Sequence, residues 1–462
     1  MTTADSSRAS TLDPMHALTA YHWEPQPKAA AYLDGLMNDA LGRNAWLRDF
    51  ADRLYQQSGN RITDLVRLWI IKDTPDTREQ LEAAGWEESD KPGDGPVFVN
   101  RSGMFADVML AADSDETDLG LKIDSAADFA ATHALQSKIH GQPGSPLRYV
   151  LASSENGLNV YGMESRGHRG WLLPDEFPSM QRQHEVLESF RTRDRSDTDD
   201  AFDKMDQMVD TAIEKVGRDL ACDLWFWAER EFWQRRNKAA RFQFERQNAL
   251  GIGWANHDHH TYRSSRRHFH RLVSLWEKLG LECRERFYPG PEAGWGAQVM
   301  EHPVCGIVTF NDVDISPDEL KSDFAHDPMT EDDSLATVGL WCALHGESVL
   351  GAGMHHLECT FDFVALRDQM ADSGIQTMKP FTDFAYLKQA FTAGERWAVA
   401  DDRIAKLEQL GLITPEQADD FRQNGAVGSH LENLERNDGF KGFNQTGVTQ
   451  IIKETDPRLV KA

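Results

Sequence analysis

The sequence predicts an α+β protein of tandem βαβββ modules, arranged as two domains joined by a helical connector. Three observations carry that expectation. Strand-like runs rich in Val, Ile, Leu and aromatic residues follow short amphipathic helices in a repeated order. That order occurs twice within residues 58–180 and twice within 251–445, and the stretch between them, 181–250, has helical periodicity alone.

The chain bounds its own function classes. At 462 residues and 40% hydrophobic content it can bury two or three ordinary cores. Asp and Glu number 75 against 49 Lys and Arg, a net charge of −26, so the surface repels phosphate backbones and anionic lipid. Neither nucleic acid nor membrane is therefore an expected partner. No window approaches the roughly 20 apolar residues of a membrane helix, and the start "MTTADSSRASTLDPMHALTAYHW" has no basic segment followed by an apolar one. A cytoplasmic protein is the expectation. Cys222, Cys283, Cys305, Cys342 and Cys359 are odd in number and form no CxxC, which argues against a disulfide framework and a thiolate zinc site. Self-association into a homo-oligomer stays open.

Element by element, an N-terminal helical segment spans 1–57, with "AAYLDGLMNDALGRNAWLRDFADRLYQQ" reading as one or two helices. "TDLVRLWIIKD" is a strand, and "TPDTREQLEAAGW" a helix capped by Thr74 or Asp76 and stopped by Gly85. "GPVFVNRSG" and "FADVMLAAD" are strands. A second round runs through "TDLGLKID", the helical "SAADFAATHAL", "LRYVLASS" and "GLNVYGMES". In the connector, Phe202, Met205, Val209, Ile213 and Val216 share a stripe, and "WFWAEREFWQRRNKAARFQFERQ" is aromatic and basic. Such a stripe packs against a neighbouring domain more often than it binds a nucleic acid.

The second domain opens on "GWANHDHHTYRS", a strand whose alternation puts His257, His259, Thr261 and Arg263 on one face. Ser264 or Ser265 then caps "RRHFHRLVSLWEKLG", with Phe269, Leu272, Val273, Trp276 and Leu279 buried and Gly280 as the stop. Strands "LECRERFYP", "WGAQVMEHP" and "GIVTFNDVDI" complete the unit. The next comprises the strand "GAGMHHLECTFD", the helix "FVALRDQMADSG", the strand "IQTMKPF" and a last strand "GSHLENLER". Together the two units could close a cup. A C-terminal helix over 446–462, capped by Thr446, would lie across its mouth.

A nonheme iron(II) site needs two imidazoles and a carboxylate on one face of the ion. His259, His356 and Glu432 are candidates, spaced too far apart for a local motif such as HExxH. Against this stands the commoner fate of a strand histidine, a hydrogen-bonded place in the core.

The stretch "LHGESVLGAGMHHLECTFDFVALRDQMADSGIQTMKPFTDFAYLKQAF" resembles the second iron-binding strand, helix and loop of 4-hydroxyphenylpyruvate dioxygenase, a member of the vicinal oxygen chelate superfamily. "NHDHHTYR" is similar to that family's first Asp-His strand, "GAQVMEHPVCGIVTFND" to its pocket strands, and "LENLERNDGFKGFNQTGVTQII" to its glutamate strand, lid and closing helix. The resemblance covers residues 250 to 455, the N-terminal half matching in architecture only. It implies vicinal oxygen chelate modules, with His259, His356 and Glu432 as ligands of Fe(II). It implies further that Asn311 lines the substrate pocket, that Phe440 and Asn444 lie in the lid, and that a 2-oxo acid is oxidatively decarboxylated with O2. Departures bear on the substrate: His355 stands where the family has Gln, Ala297 where it has Ser, and its "LLQIF" strand lacks a counterpart, since "ITPEQADDFRQNG" reads as a helix. Arg263, four residues after His259, resembles the Arg of the more distant 2-oxoadipate dioxygenases and could clamp a second carboxylate.

Glu301, Glu358 and His257 stay open as further ligands. Two other classes compete: a metal-dependent glyoxalase-type isomerase or lyase or an extradiol ring-cleaving dioxygenase, and a binding protein with packed histidines. The N-terminal module, whose equivalent strands lack histidine, is expected to be structural.

Overall fold

The computed structural model describes residues 23–90, 93, 95–290, 292–330, 334–444 and 455–459. The N-terminal segment is two helices, α1 (Pro27–Arg43) and α2 (Ala45–Ser58). Asn44 separates them because its side chain accepts from Leu47 N at 2.9 Å and so starts α2. Gly59 ends α2 at φ 69°, and a Cβ there would lie 3.0 Å from the backbone of Leu366, so only glycine fits this crossing between the two halves of the chain.

The first sheet is built from β1 (Val66–Lys72), β2 (Glu87–Ser89), β3 (Val97–Val99), β4 (Asp107–Ala111), β5 (Thr117–Lys122), β6 (Ile139–His140), β7 (Leu147–Glu155) and β8 (Leu158–Ser165). Helix α3 (Pro75–Ala83), capped by Thr74, follows β1, and α4 (Ala126–Thr132), capped by Ser125, follows β5. The connector is four helices, α5 (Met180–Arg191), α6 (Asp199–Val216), α7 (Arg218–Arg235) and α8 (Lys238–Asn248). The second sheet contains β9 (His257–Arg263), β10 (Glu282–Phe287), β11 (Trp295–Glu301), β12 (Val308–Asp314), β13 (His356–Thr360), β14 (Thr382–Phe384), β15 (Leu387–Phe391), β16 (Glu395–Trp397) and β17 (Ala426–Arg436). Helices α9 (Phe269–Lys278), α10 (Thr337–His345), α11 (Phe363–Asp372), α12 (Asp401–Gln409) and α13 (Pro415–Asn424) intersperse them.

Strand order gives the architecture. The sheets run β2-β3-β4-β1-β5-β8-β7-β6 and β10-β11-β12-β9-β13-β17-β15-β14, with β16 paired to β17. In each, the first strands of two βαβββ units lie antiparallel at the centre (β1 with β5, β9 with β13), and each is parallel to the last strand of its own unit. This is the tandem βαβββ fold expected. In the fourth unit α12 and α13 are inserted before the last strand, and they pack on α10 around Leu340, Ile404 and Phe421.

Register makes the two sheets comparable residue by residue. Leu68 pairs with Asp107 and Gly120, as His259 pairs with Val308 and Glu358. Leu68 thus holds the place of His259, Asp118 that of His356, Gly120 that of Glu358 and Tyr161 that of Glu432. The first sheet has no imidazole at any of these places. Both sheets also share a β-bulge, at Arg67 in β1 and at Asp258 in β9, where one extra residue re-aims its side chain.

That bulge corrects the strict alternation expected of β9. His257 pairs with Cys359 and His259 with Glu358, which are neighbours on β13 and face opposite ways, so His257 and His259 do not share a face. Helix α9 also starts later than expected, at Phe269, because Glu347 accepts from Ser264 Oγ at 2.8 Å and Ser265 N at 3.2 Å and holds those serines in the preceding turn. "IQTMKPF" forms only a single bridge, Thr377 to Thr392. "YLKQAF", which the sequence reading did not assign as a strand, supplies β15 beside β17.

The aromatic run of α7 is core. Trp225, Phe226 and Trp233 are buried, and the Trp233 indole donates to Ser429 Oγ on β17 at 2.8 Å. Among the described residues no helix is long and apolar enough to cross a membrane. The helix expected over 446–462 lies outside the described residues, apart from 455–459.

Candidate metal centre

Three neighbouring strands at the centre of the second sheet bring four donor side chains together. His259 comes from β9, His356 and Glu358 from β13, and Glu432 from β17, all buried. Glu358 sits two residues after His356 and so faces the same side. Its Oε1 contacts His259 Nε2 and lies 3.1 Å from His356 Nε2, while Glu432 Oε2 lies 3.4 Å from His356 Nε2.

The imidazoles are oriented from behind. Asp258 Oδ1 lies 2.8 Å from His259 Nδ1, and Arg436 donates to both Asp258 oxygens, at 2.9 and 3.0 Å. A proton on Nδ1 then leaves the His259 Nε2 lone pair aimed at the centre, the usual support for a metal-ligating imidazole. His356 Nδ1 lies 2.7 Å from His355 Nδ1, so one of the two carries the shared proton. Glu432 Oε1 accepts from Gln389 Nε2 at 2.9 Å, and Gln389 Oε1 accepts from Thr382 Oγ1 at 3.0 Å.

Burial sets the electrostatics. It lowers His259 to about 4 despite the opposing Asp258 carboxylate, and pushes His356 well below the usual imidazole range. Both rings are neutral at pH 7 and free to ligate. Burial raises Glu358, and the neighbouring Glu432 raises it further; Glu432 is raised by burial as well. Burial opposes ionisation of Asp258, but the Arg436 charge and the His259 hydrogen bond outweigh it and hold that carboxyl low. Two touching carboxylates with two neutral imidazoles form a donor set that a dication would neutralise.

Beside the centre lies a cavity of about 70 Å³, lined by Thr261, Arg263, Phe310, Asp312, Phe391 and Phe443, among others. Arg263 Nε reaches Asp312 Oδ2 only at 3.5 Å, and its Nη1 is buried without a partner among the described residues. Thr261 Oγ1, Asp312 Oδ1 and Glu358 Oε2 are equally unpaired. Four orphaned polar atoms in one small space point to a polar occupant. Burial raises Asp312 to about 7 against the pull of Arg263.

The expected residues divide. His356, Glu432 and Arg263 line the cavity, His259 joins the first two through Glu358, and Asn444 lines the cavity and donates to Thr382 Oγ1 at 3.0 Å. Asn311 does not, because the pleat of β12 turns it to the helical side, where it accepts from the Trp276 indole at 2.7 Å. Phe440 also lies off the cavity, packed with Tyr386, Leu387 and Leu434, and Phe443, three residues on, takes the lining position with its ring edge-on to His259 at 4.9 Å. Glu301 is engaged by Lys441 and Arg284, and His257 faces a different cavity. Glu358 and Gln389 are the members that sequence reasoning left open or missed. The period-two step from His356 marks Glu358, while Gln389 becomes visible only once "YLKQAF" is read as a strand.

No protein-family model and no curated protein matches the chain. Solved structures match the chain only at low similarity. A triple mutant of 4-hydroxymandelate synthase from Streptomyces coelicolor is 13% identical over 86% of this chain and 98% of that one, with a TM-score of 0.28. Methylmalonyl-CoA epimerase from Mycobacterium tuberculosis is 10% identical over 39% and 88%, with a TM-score of 0.23. A Shewanella frigidimarina protein described provisionally as a hydrolase is 13% identical over 48% and 96%, with a TM-score of 0.33. At such identities no activity passes from those proteins to this one.

Proposed function

We propose that the chain is an Fe(II)-dependent dioxygenase that oxidatively decarboxylates a small 2-oxo acid, with His259, His356 and Glu432 as the ligands. One observation carries the reading: the His259 and His356 imidazoles both reach Glu358, Glu432 lies 3.4 Å from His356, and the cavity beside them is lined by Arg263 with an unpaired donor. Fe(II) held by three such ligands would offer open positions for the 2-oxo acid and dioxygen; loss of CO2 would supply two of the four electrons, one oxygen atom going to the new carboxylate and the other into a C–H bond of the same molecule.

The other roles belong to the chain. Arg263 is the clamp for a second polar group of the substrate, a carboxylate above all. Its native partner Asp312 sits at long range, and with its pKa pushed up to about 7 it is about half protonated at neutral pH and more so below, which frees much of the guanidinium charge for the substrate. Phe310, Phe391 and Phe443 exclude water. The cavity, at about 70 Å³, is under half of the roughly 150 Å³ that holds a benzene ring, which favours a short aliphatic acid over an aromatic one.

Glu358 favours a second reading. If it ligates as well, four protein donors leave two positions on a six-coordinate ion, enough for a chelating substrate but not for dioxygen beside it. The site would then serve an isomerase or epimerase. Glu358→Gln separates the two: the dioxygenase reading expects iron to be kept, and four-ligand chemistry expects it to be lost. The reaction itself is tested with the Fe(II) protein prepared anaerobically and offered short 2-oxo acids, aromatic pyruvates and catechols. A weak visible band with a short 2-oxo acid, then oxygen uptake matched by CO2 release on admitting air, supports the proposal. Ring opening of a catechol with no 2-oxo acid turnover would sink it.

A further inference from the structure

A larger cavity, about 870 Å³, lies between the N-terminal sheet and the metal-bearing one, and the proposed reaction does not use it. The two bulges of the fold meet there: Arg67 of β1 and Asp258 of β9 hold equivalent positions in their sheets, and both line this space. The N-terminal sheet has lost every donor of the metal centre, yet it keeps the bulge and carries a guanidinium on it.

Acids and cations are equally numerous on the cavity wall, and most of the acids are already engaged. Asp64 is held by Arg61, Asp258 by Arg436, and Glu301 by Lys441 and Arg284. Asp124 accepts from Trp254 N at 2.7 Å, and Arg166 and Arg230 set the field at Asp124 and Asp223. Arg67 lies in the field of Asp107, and Lys122 in the fields of Asp64 and Asp258. Lys122 makes no hydrogen bond or ion pair among the described residues. Arg67 spends Nη2 on His168 O at 3.1 Å and lies 4.9 Å from the centre of the Trp171 ring, but its Nε is buried without a partner, as is the Trp171 indole N–H. Two buried N–H donors left idle beside a half-buried ammonium cost stability unless something acts as the acceptor.

We propose that this cavity is a second binding site, for a small anion bearing a carboxylate or phosphate group, held by Arg67, Lys122 and the Trp171 indole N–H. Its apolar side, with Met104, Phe105 and Met163, leaves room for an organic body behind the anionic head. Asp258, which orients His259, borders the same space, so the occupant sits one residue from the metal centre without touching it.

The test melts the full-length, metal-loaded protein in inorganic phosphate, in succinate and in chloride at one ionic strength. A saturable rise in Tm with phosphate or succinate but not with chloride is expected, and which of the two acts names the head group. Lys122→Met and Arg67→Met should each raise the midpoint concentration at least tenfold, and Lys122→Met should melt no lower than the parent without anion. The site is refuted if the variants respond as the parent does, or if Arg263→Met abolishes the response instead, which would seat the anion in the cup. Diffraction from parent crystals soaked in selenate decides independently of any variant: an anomalous peak between Arg67 and Lys122 supports the site, and its absence overturns it.

Discussion

At the residue scale, the proposed ligands and their supports separate by what each loses on substitution. His259→Ala, His356→Ala and Glu432→Ala should each abolish iron retention in purified protein, measured as metal per chain, and His257→Ala should retain it because the bulge turns that ring away. Asp258→Asn keeps the side chain's shape but weakens its hold on the His259 N–H. Iron affinity should fall about 10- to 100-fold in chelator competition, the usual cost of a lost supporting carboxylate. Asn311 offers the opposite signature. Asn311→Leu leaves the buried Trp276 indole without its acceptor and should cost about 1–3 kcal/mol in denaturant unfolding with metal content unchanged. Loss of iron in that variant would return Asn311 to the site.

Elements decide how those residues are held. His268, at the start of α9, joins three of them: its Nε2 lies 2.8 Å from Asp199 on α6 and its Nδ1 3.1 Å from Glu347 in the turn after α10. Burial disfavours its charged form, but Glu347 and Asp199 outweigh burial and hold its pKa above the usual value. A histidine raised in the folded state stabilises fully below its unfolded pKa, and the gain fades as pH rises through the folded value. His268→Gln should therefore lower Tm more at about pH 6 than at about pH 9. The closing segment after β17 is tied down in another way, since Arg436 Nη1 donates to Gly442 O at 2.7 Å and so seats Phe443 against His259. Phe443→Ala should keep its iron while oxygen uptake outruns product, because the ring that excludes water is gone. Coupled turnover in that variant would show that the ring is only packing.

Across the whole molecule, the N-terminal half is bonded into the half that holds the candidate metal centre. Asp362 N donates to Gly59 O at 2.9 Å, Gln243 Nε2 to Ser58 O at 2.8 Å, Arg61 Nη2 to Arg436 O at 2.8 Å and Met104 N to Gly439 O at 2.8 Å. The last two land on the segment that positions Asp258 and Phe443. Residues 251–462 expressed alone should therefore fail to hold iron, and the intact chain should melt in one calorimetric transition. Two well-separated transitions would mean that these bonds do not couple the halves.

Sequence alone determined the local grammar of this protein. The order of strands and helices, the cap at Thr74, the polar run on β9 and the set His259, His356 and Glu432 as candidates all follow from periodicity, residue chemistry or family resemblance. Two kinds of fact were beyond it. A bulge depends on how one strand pairs with another, so the separation of His257 from His259 could not be read from alternation along β9. Which face of a strand a residue takes, and which distant chain it then meets, is likewise a tertiary matter. That is why Asn311 proved to serve Trp276, why Phe443 replaced Phe440, and why Arg67 and Lys122 came to share a cavity with Asp258.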